Sequence, residues 1–333
     1  MATVRKKESD VLKILKHYFI AIIMGGLLIV LLSGCTDNTK TTANTDEESK
    51  SDTRIIVDAK GEVEIPVDPQ RIVDISGTSD TLSILGYDVV GTANSDAYDY
   101  TKFPTYLEDI LKDATILGFS MQDTMDIEGV LALDPDLIIM SSVQEKMYDQ
   151  LSEVAPTVMI EMAQIDWTED LKNVASVMQK EDEADAWLTE YAADATETGN
   201  QLKETYGEDT TYLAFLASGG QIYIFDGAGI GSILYTDMGL EKPTGMPEQT
   251  NISLPVVTYE GLASIDADYI FAVGTEEDFA ALEESSIWNS MNAVKNNQVV
   301  KLPSSPYFNQ GYSPIGRSLF LDELEGLLEE IHE

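Results

Sequence analysis

One short passage is written twice in this chain, and the repeat limits what it can fold into more than any other feature. Residues 125–140 read MDIEGVLALDPDLIIM and residues 257–271 read VTYEGLASIDADYIF. Aligned on Glu128 and Glu260, they share Glu-Gly, two Asp bracketing one residue, an Ile, and apolar residues at matching places. Each copy has a residue that helix N-caps prefer two positions before its Glu, Asp126 in one and Thr258 in the other. A turn or two of apolar helix follows, then an Asp-x-Asp stop and a strand. Two copies of this helix, turn and strand unit, 132 residues apart, predict two similarly built halves.

The rest of the chain fits that division. At 333 residues it is too long for one ordinary core at ~150 residues per domain. RIIVDAKGEVEIPV reads as a hairpin around a Lys-Gly turn. Strand-like and helix-like pieces then alternate: RIVDIS, a helix over about 78–85, VVGTAN, ATILG, a short helix from Ile127, DLIIMS, a helix from Gln144, and APTVMIE. That rhythm belongs to an α/β lobe with a mainly parallel sheet. From Trp167 to about Tyr206 no proline occurs, and Ala184, Trp187, Leu188 and Tyr191 recur at helical spacing, which predicts one long helix. Its second part, 181–206, would alone reach ~39 Å. Alternation resumes with TYLAFLAS, QIYIFDG, a helix near Ser232–Met238, YIFAVG, a helix from Glu276, QVVKLP and a last helix from about Pro314. The expected fold is therefore α/β: lobes at 54–166 and 207–333 with mainly parallel sheets, joined by a single long helix at 167–206, with a ligand cleft between the lobes.

The first 35 residues obey other rules. Arg5, Lys6, Lys7, Lys13 and Lys16 precede an uncharged run that ends Leu32-Ser33-Gly34-Cys35, the layout of a secretory signal. Tyr18 to Leu32 is shorter than the ~20 residues a bilayer-spanning helix needs. The ending resembles the lipobox of bacterial lipoproteins, and Cys35 is the chain's only cysteine, so Cys35 is the expected lipidation site. Acyl chains contribute roughly 0.8 kcal/mol per buried CH₂ and would hold the protein on the membrane. Residues 36–53 follow, with no large apolar residue before the hairpin, and read as a flexible tether about 25 Å end to end. Without residues 1–35, 15 Lys and Arg face 57 Asp and Glu, a balance that opposes binding to nucleic acid or anionic lipid.

Histidine is nearly absent. His17 lies in the signal region and His332 is the penultimate residue, which removes the usual basis for a zinc or manganese site, a His-ligated haem or a Ser-His-Asp hydrolase. DGAGIGS lacks the Lys-Ser/Thr ending of a phosphate loop. The chain thus reads as a binding protein, with no enzyme activity, cofactor or resident metal expected. In two-lobed α/β proteins ligands sit at the loops after strand ends. The first lobe offers Thr78, Tyr98, Tyr100, Phe119, Met121 and Gln122 there; the second offers Tyr223, Phe225 and the loop SSPYFNQGYS with Tyr307, Phe308, Asn309 and Tyr312. Aromatic rings supply flat contact area and tyrosine adds a hydroxyl; for any single one ordinary packing is the better explanation, and the cluster Tyr307–Tyr312 is the strongest candidate because a polar loop with three aromatics must bury or present them. Only Arg54, Arg71 and Arg317 remain beyond the signal; Arg71 opens a strand, which suits a structural role. Arg317 and lysines such as Lys102 are candidates for one positive contact.

Taken together, the lipobox, the acidic tether, PQRIVDIS, MDIEGVLALDPDLII, YDQLSEVAPTV, the connecting helix and IYIFDGAGIGSILYTDMGL resemble the iron-siderophore-binding lipoproteins of ABC importers, and most of all the ferric-hydroxamate binders of Gram-positive bacteria. The likeness covers roughly 54–333. It implies a monomer, lipid-anchored on the outer face of the cell membrane, that hands a ferric siderophore to an ABC permease dimer with its ATPase. It further implies that Glu128 and Glu260 meet arginine pockets on the two permease subunits. It places Ile230 where relatives often carry a basic or large polar residue. Few cations argue against a strongly anionic tris-catecholate and for a neutral or cationic ferric hydroxamate. Cobalamin, another iron chelate, bare Fe³⁺ in a tyrosine and carboxylate cage, and a surface sensor or adhesin on the same fold remain open.

Overall fold

The computed structural model describes residues 52–162 and 166–331. The signal, Cys35, nearly all of the tether and His332 lie outside the described residues.

The chain enters through an antiparallel hairpin, β1 (Thr53–Asp58) and β2 (Gly61–Pro66). Asp58 sets the turn by accepting the Lys60 and Gly61 amides at 2.7 and 3.0 Å, and its other oxygen takes the Met159 amide at 2.7 Å. The first lobe then runs β3 (Ile72–Asp74), α1 (Ser79–Ile84), β4 (Val89–Asn94), α2 (Glu108–Leu111), β5 (Thr115–Phe119), α3 (Ile127–Ala132), β6 (Leu137–Ser141), a 3₁₀ turn, α4 (Tyr148–Ser152) and β7 (Thr157–Ile160). Its sheet is wholly parallel, in the order β5-β4-β3-β6-β7. β3 and β6 are buried at every position, which is why they read as unbroken apolar runs.

The stretch expected as one helix is two: α5 (Trp167–Met178) and α6 (Glu181–Tyr206). The break falls at Gln179, which adopts the left-handed conformation with φ 55° and ends α5 through backbone bonds to Ala175 and Ser176. α5 belongs to the first lobe: Leu171, Val174, Ala175 and Met178 complete its core. α6 alone joins the lobes. Ala184 lies in the first core, and Tyr191, Ala195 and Leu202 lie in the second. Burial of a side chain such as Leu202 contributes about 1.5–3 kcal/mol, so both ends of the helix are held.

The second lobe comprises β8 (Tyr212–Ser218), β9 (Gln221–Ile224), α7 (Gly229–Ser232) widening into a π-turn over Ile233–Asp237, β10 (Val256–Val257), α8 (Tyr259–Ala263), β11 (Tyr269–Gly274), α9 (Glu276–Glu284), α10 (Asn292–Lys295), β12 (Val299–Pro303), α11 (Ser304–Gln310) and α12 (Pro314–Glu330). The strand order, β10-β9-β8-β11-β12, is that of the first lobe with every number raised by five. One connection differs. β3 reaches β4 through α1 and pairs parallel, whereas β8 reaches β9 across Gly219 and Gly220, both at positive φ, and a two-residue link permits only an antiparallel pair.

The written repeat is a structural one. Asp126 Oδ1 caps α3 by accepting the Gly129 amide at 2.9 Å, and Thr258 Oγ1 caps α8 through the Gly261 amide at 3.1 Å. The glycine after Glu128 lets the cap approach: a Cβ on Gly129 would stand 2.7 Å from the Asp126 carboxylate. The second Asp of each Asp-x-Asp clamps the start of the neighbouring central strand. Asp136 accepts the Gln70 and Arg71 amides at 2.7 and 2.9 Å beside β3; Asp268 accepts the Thr211 amide and hydroxyl at 2.9 and 2.8 Å beside β8. Arg71 donates from Nε to the Asp134 carbonyl at 2.9 Å, a structural task.

Candidate functional site

The facing loops of the lobes meet around buried carboxylates, Asp96 first among them. Past β4, Asp96 Oδ1 accepts the Tyr98 and Asp99 amides at 2.8 and 3.2 Å, which shapes the loop that carries Tyr98 and Tyr100. The same carboxylate reaches the other lobe: Asn309 Nδ2 donates to Oδ1 at 3.0 Å and Ser305 Oγ to Oδ2 at 2.7 Å. Asn309 also accepts the Ala97 amide at 3.4 Å. This polar staple brings aromatic rings from both sides together. Tyr98 packs edge-on against Phe308 with centroids 5.7 Å apart, and Phe308 lies 5.5 Å from Tyr312. Tyr100 stacks on Phe119 at 5.9 Å and 29°. Tyr98, Tyr100, Met121 and Tyr312 remain 37–65 % exposed, so this is an open apolar rim and not a sealed core.

The other expected contacts lie elsewhere. Thr78 is buried, its hydroxyl 2.8 Å from that of Ser76. Phe225 and Ile230 belong to the second-lobe core, and Phe225 meets the rim through Phe308. Tyr223 packs on that core and bonds to Gln221. The segment read as a loop at 304–310 is the helix α11, which turns Tyr307 onto Phe320 and its hydroxyl to Glu323 at 3.0 Å. Gln122 is exposed beside Met121. Arg317 is no cleft cation. It is 1 % exposed, paired with Asp237 at 2.6 Å, bonded to the Gly311 carbonyl and Ser232 hydroxyl, and its guanidinium lies 4.6 Å from the Trp167 ring centre.

Four residues that sequence reasoning passed over build the junction: Asp80, Asp96, Ser305 and Ser313. Asp80 at the head of α1 accepts the Ser313 hydroxyl from the second lobe. Desolvation raises its pKa to about 6, against the Ser313 hydrogen bond, with Asp74 adding to the rise. Desolvation likewise raises Asp74, opposed by the hydroxyls of Ser76 and Ser79. Burial, aided by Asp80, pushes the Tyr106 phenol well up. Between pH ~4 and ~6 the folded protein therefore keeps a proton on Asp80 that the unfolded chain releases, and stability falls as pH rises through that window. The expected size is about 3 kcal/mol. Asp80→Asn should match wild type near pH 4 and exceed it by up to that amount at pH 7 in urea titrations; a pH-independent difference would contradict the assignment.

The positive groups close to the rim are already paired, Lys102 with Asp99 at 3.0 Å and Arg317 with Asp237. Among the described residues no group of three or more His, Cys, Asp and Glu is placed to hold a metal ion, and no helix is long and apolar enough to cross a membrane. Glu128 and Glu260 are exposed, one on the first turn of α3 and one on that of α8.

Comparison with known proteins places this architecture. The family model described as periplasmic binding protein matches residues 83–306. The chain belongs to that family. This binding protein is 32% identical to the iron(3+)-hydroxamate-binding protein FhuD of Bacillus subtilis over 312 residues, which cover 89% of the chain and 94% of the relative. It superposes on FhuD2 of Staphylococcus aureus with bound ferrioxamine B at a TM-score of 0.66 and 25% identity, covering 80% of this chain and 100% of that one. SirA of the same organism, complexed with staphyloferrin B, gives 0.65 and 26%, covering 83% and 99%. The binding protein thus shares the two-lobed fold of proteins solved with two different siderophores.

Proposed function

We propose that the protein captures a ferric siderophore of the hydroxamate type outside the cell and delivers it to the permease of an ABC importer. The observation that carries this reading is the rim of Tyr98, Tyr100, Phe119, Met121, Phe308 and Tyr312, gathered from both lobes over buried carboxylates, with the nearby cations already paired. Flat rings suit the apolar periphery of a neutral or cationic chelate, and tyrosine hydroxyls can donate to its oxygens. A tris-catecholate of high negative charge would find no free guanidinium there to answer it. The resemblance to FhuD supports the same ligand class.

Titration of the purified protein with a panel of ferric siderophores, read by tyrosine and tryptophan fluorescence, tests the ligand. Quenching at micromolar or lower concentrations is expected with a ferric hydroxamate and not with a ferric tris-catecholate, and the reverse order would sink the reading. In this reading Cys35 carries the lipid and Glu128 and Glu260 face the permease. Cys35→Ser should release the protein from membranes or leave it unprocessed; lipid labelling equal to wild type would overturn the anchor.

A further inference from the structure

Three rings of the rim stand next to the bonds that tie the lobes together. Tyr98 follows Asp96 by two residues, Phe308 precedes Asn309 by one, and Tyr312 precedes Ser313 by one. Asp96 holds Asn309 at 3.0 Å and Ser305 at 2.7 Å across the junction, and Asp80 holds the Ser313 hydroxyl. The first lobe supplies both carboxylates, and the second supplies the hydroxyls and the amide that donate to them. Asp80, Asp96, Asn309 and Ser313 are all buried, at 2–8 % exposure. Ser313 also caps α12 by accepting the Gly316 amide at 3.0 Å, and Ile315, two residues on, packs against the first-lobe core. Tyr98 adds a tie of its own: desolvation raises its phenol against hydrogen bonds from Ser218, at the end of β8, and Ser304, just past β12. A lobe that swung away would strip donors from two buried carboxylates, and water would have to enter to replace them. The junction therefore favours one separation of the lobes.

We infer that Asp96, Ser305 and Asn309, with Asp80 and Ser313, are positioning residues for ligand binding: they hold the two halves of the rim at their working separation before a ligand arrives. This deepens the siderophore reading above and rests on it for the ligand. None of the five has to touch the chelate. Their effect runs through Tyr98, Phe308 and Tyr312, because a shift between the lobes breaks the 5.7 Å contact of Tyr98 with Phe308 and divides the rim into two separate faces. A site assembled in advance loses none of its binding free energy to ordering. Apparent affinity follows the fraction of molecules at the competent separation, so a junction that holds it a tenth of the time binds about tenfold more weakly.

Ser305→Ala combined with Asn309→Ala removes both side-chain donors to Asp96 and leaves its bonds to the Tyr98 and Asp99 amides. Lobe separation is read from spin labels on Lys112→Cys and Glu284→Cys, one exposed position in each lobe, with the chain lacking both new thiols labelled alike to account for Cys35. The labelled parent should give one narrow distance that moves by less than about 2 Å when a ferric hydroxamate is added. The double variant should give a broader distribution without ligand, recover the narrow one at saturation, and bind about tenfold or more weakly. Ser305→Thr, which keeps the hydroxyl, should behave as the parent. The parent's narrow distance in the ligand-free double variant overturns the inference; if affinity falls all the same, Asn309 touches the ligand and does not act by positioning the rim. Should the double variant not fold, Ser305→Ala alone, at an exposed site, carries the same test with an expected loss of about threefold. If the parent binds no ferric hydroxamate, the siderophore reading falls, and the ligand-free distances still decide whether these residues hold the lobes.

Discussion

Glu128→Ala and Glu260→Ala should each abolish uptake of the ferric ligand while leaving its affinity for the purified protein unchanged. Both carboxylates are exposed on the first turns of short helices. Loss of one costs its helix only the dipole interaction, about 0.3–1 kcal/mol, so both variants fold. At a docking interface the same truncation removes a charge-assisted contact to arginine, and central contacts of that kind cost ~2–4 kcal/mol, or about 30-fold and upward in complex stability. Paired measurements of fluorescence-monitored ligand binding and cellular uptake separate the two losses. Weakened ligand binding in either variant would place that glutamate in the cleft and end its assignment to the permease face.

The second large effect is expected at Arg317. Its guanidinium is enclosed by Asp237, Ser232, the Gly311 carbonyl and Trp167, and Asp237 also accepts the Tyr191 hydroxyl at 2.5 Å. Arg317→Met leaves the largely buried Asp237 carboxylate without its counter-charge and with the Tyr191 hydroxyl still donating to it, and breaking a buried pair costs up to about 3–5 kcal/mol. Adding Asp237→Asn should restore much of the loss, because two neutral groups can share the site. Denaturant unfolding of the single and double variants checks both statements. A single variant within ~1 kcal/mol of wild type would show that the pair is dispensable.

Where a signal is local, the chain is readable without coordinates. LIIMS and YIFAVG announce buried strands, and Asp126 and Thr258 announce the caps of α3 and α8, because cap, glutamate and glycine all lie within one turn. The break between α5 and α6 was silent. Gln179 carries no sequence mark of a left-handed residue, and tertiary packing of the two helices on different cores decides it. Arg317 reads from sequence as a cleft cation for a similar reason: its partner Asp237 lies 80 positions away on a turn with nothing to distinguish it from solvated acidic turns. Asp80 and Asp96 were hidden by the same acidity that makes most carboxylates of this chain surface groups. The aromatic rim was half legible, since ring-rich loops at strand ends can be listed from sequence, whereas α11 decides which face of 304–310 turns inward.

The straddling helix α6 has a thermodynamic consequence. With Ala184 fixed in one core and Tyr191 to Leu202 in the other, neither lobe can lose its structure without stripping a wall from its neighbour. Trp167 and Ile315 bind the two cores further, each packing across the junction. Denaturation is then expected as a single cooperative event and not a two-step melt of separate domains, with fluorescence and circular-dichroism transitions that coincide. A ligand held by the rim alone protects the whole body, because free energy gained at one edge is shared by every element that must unfold with it.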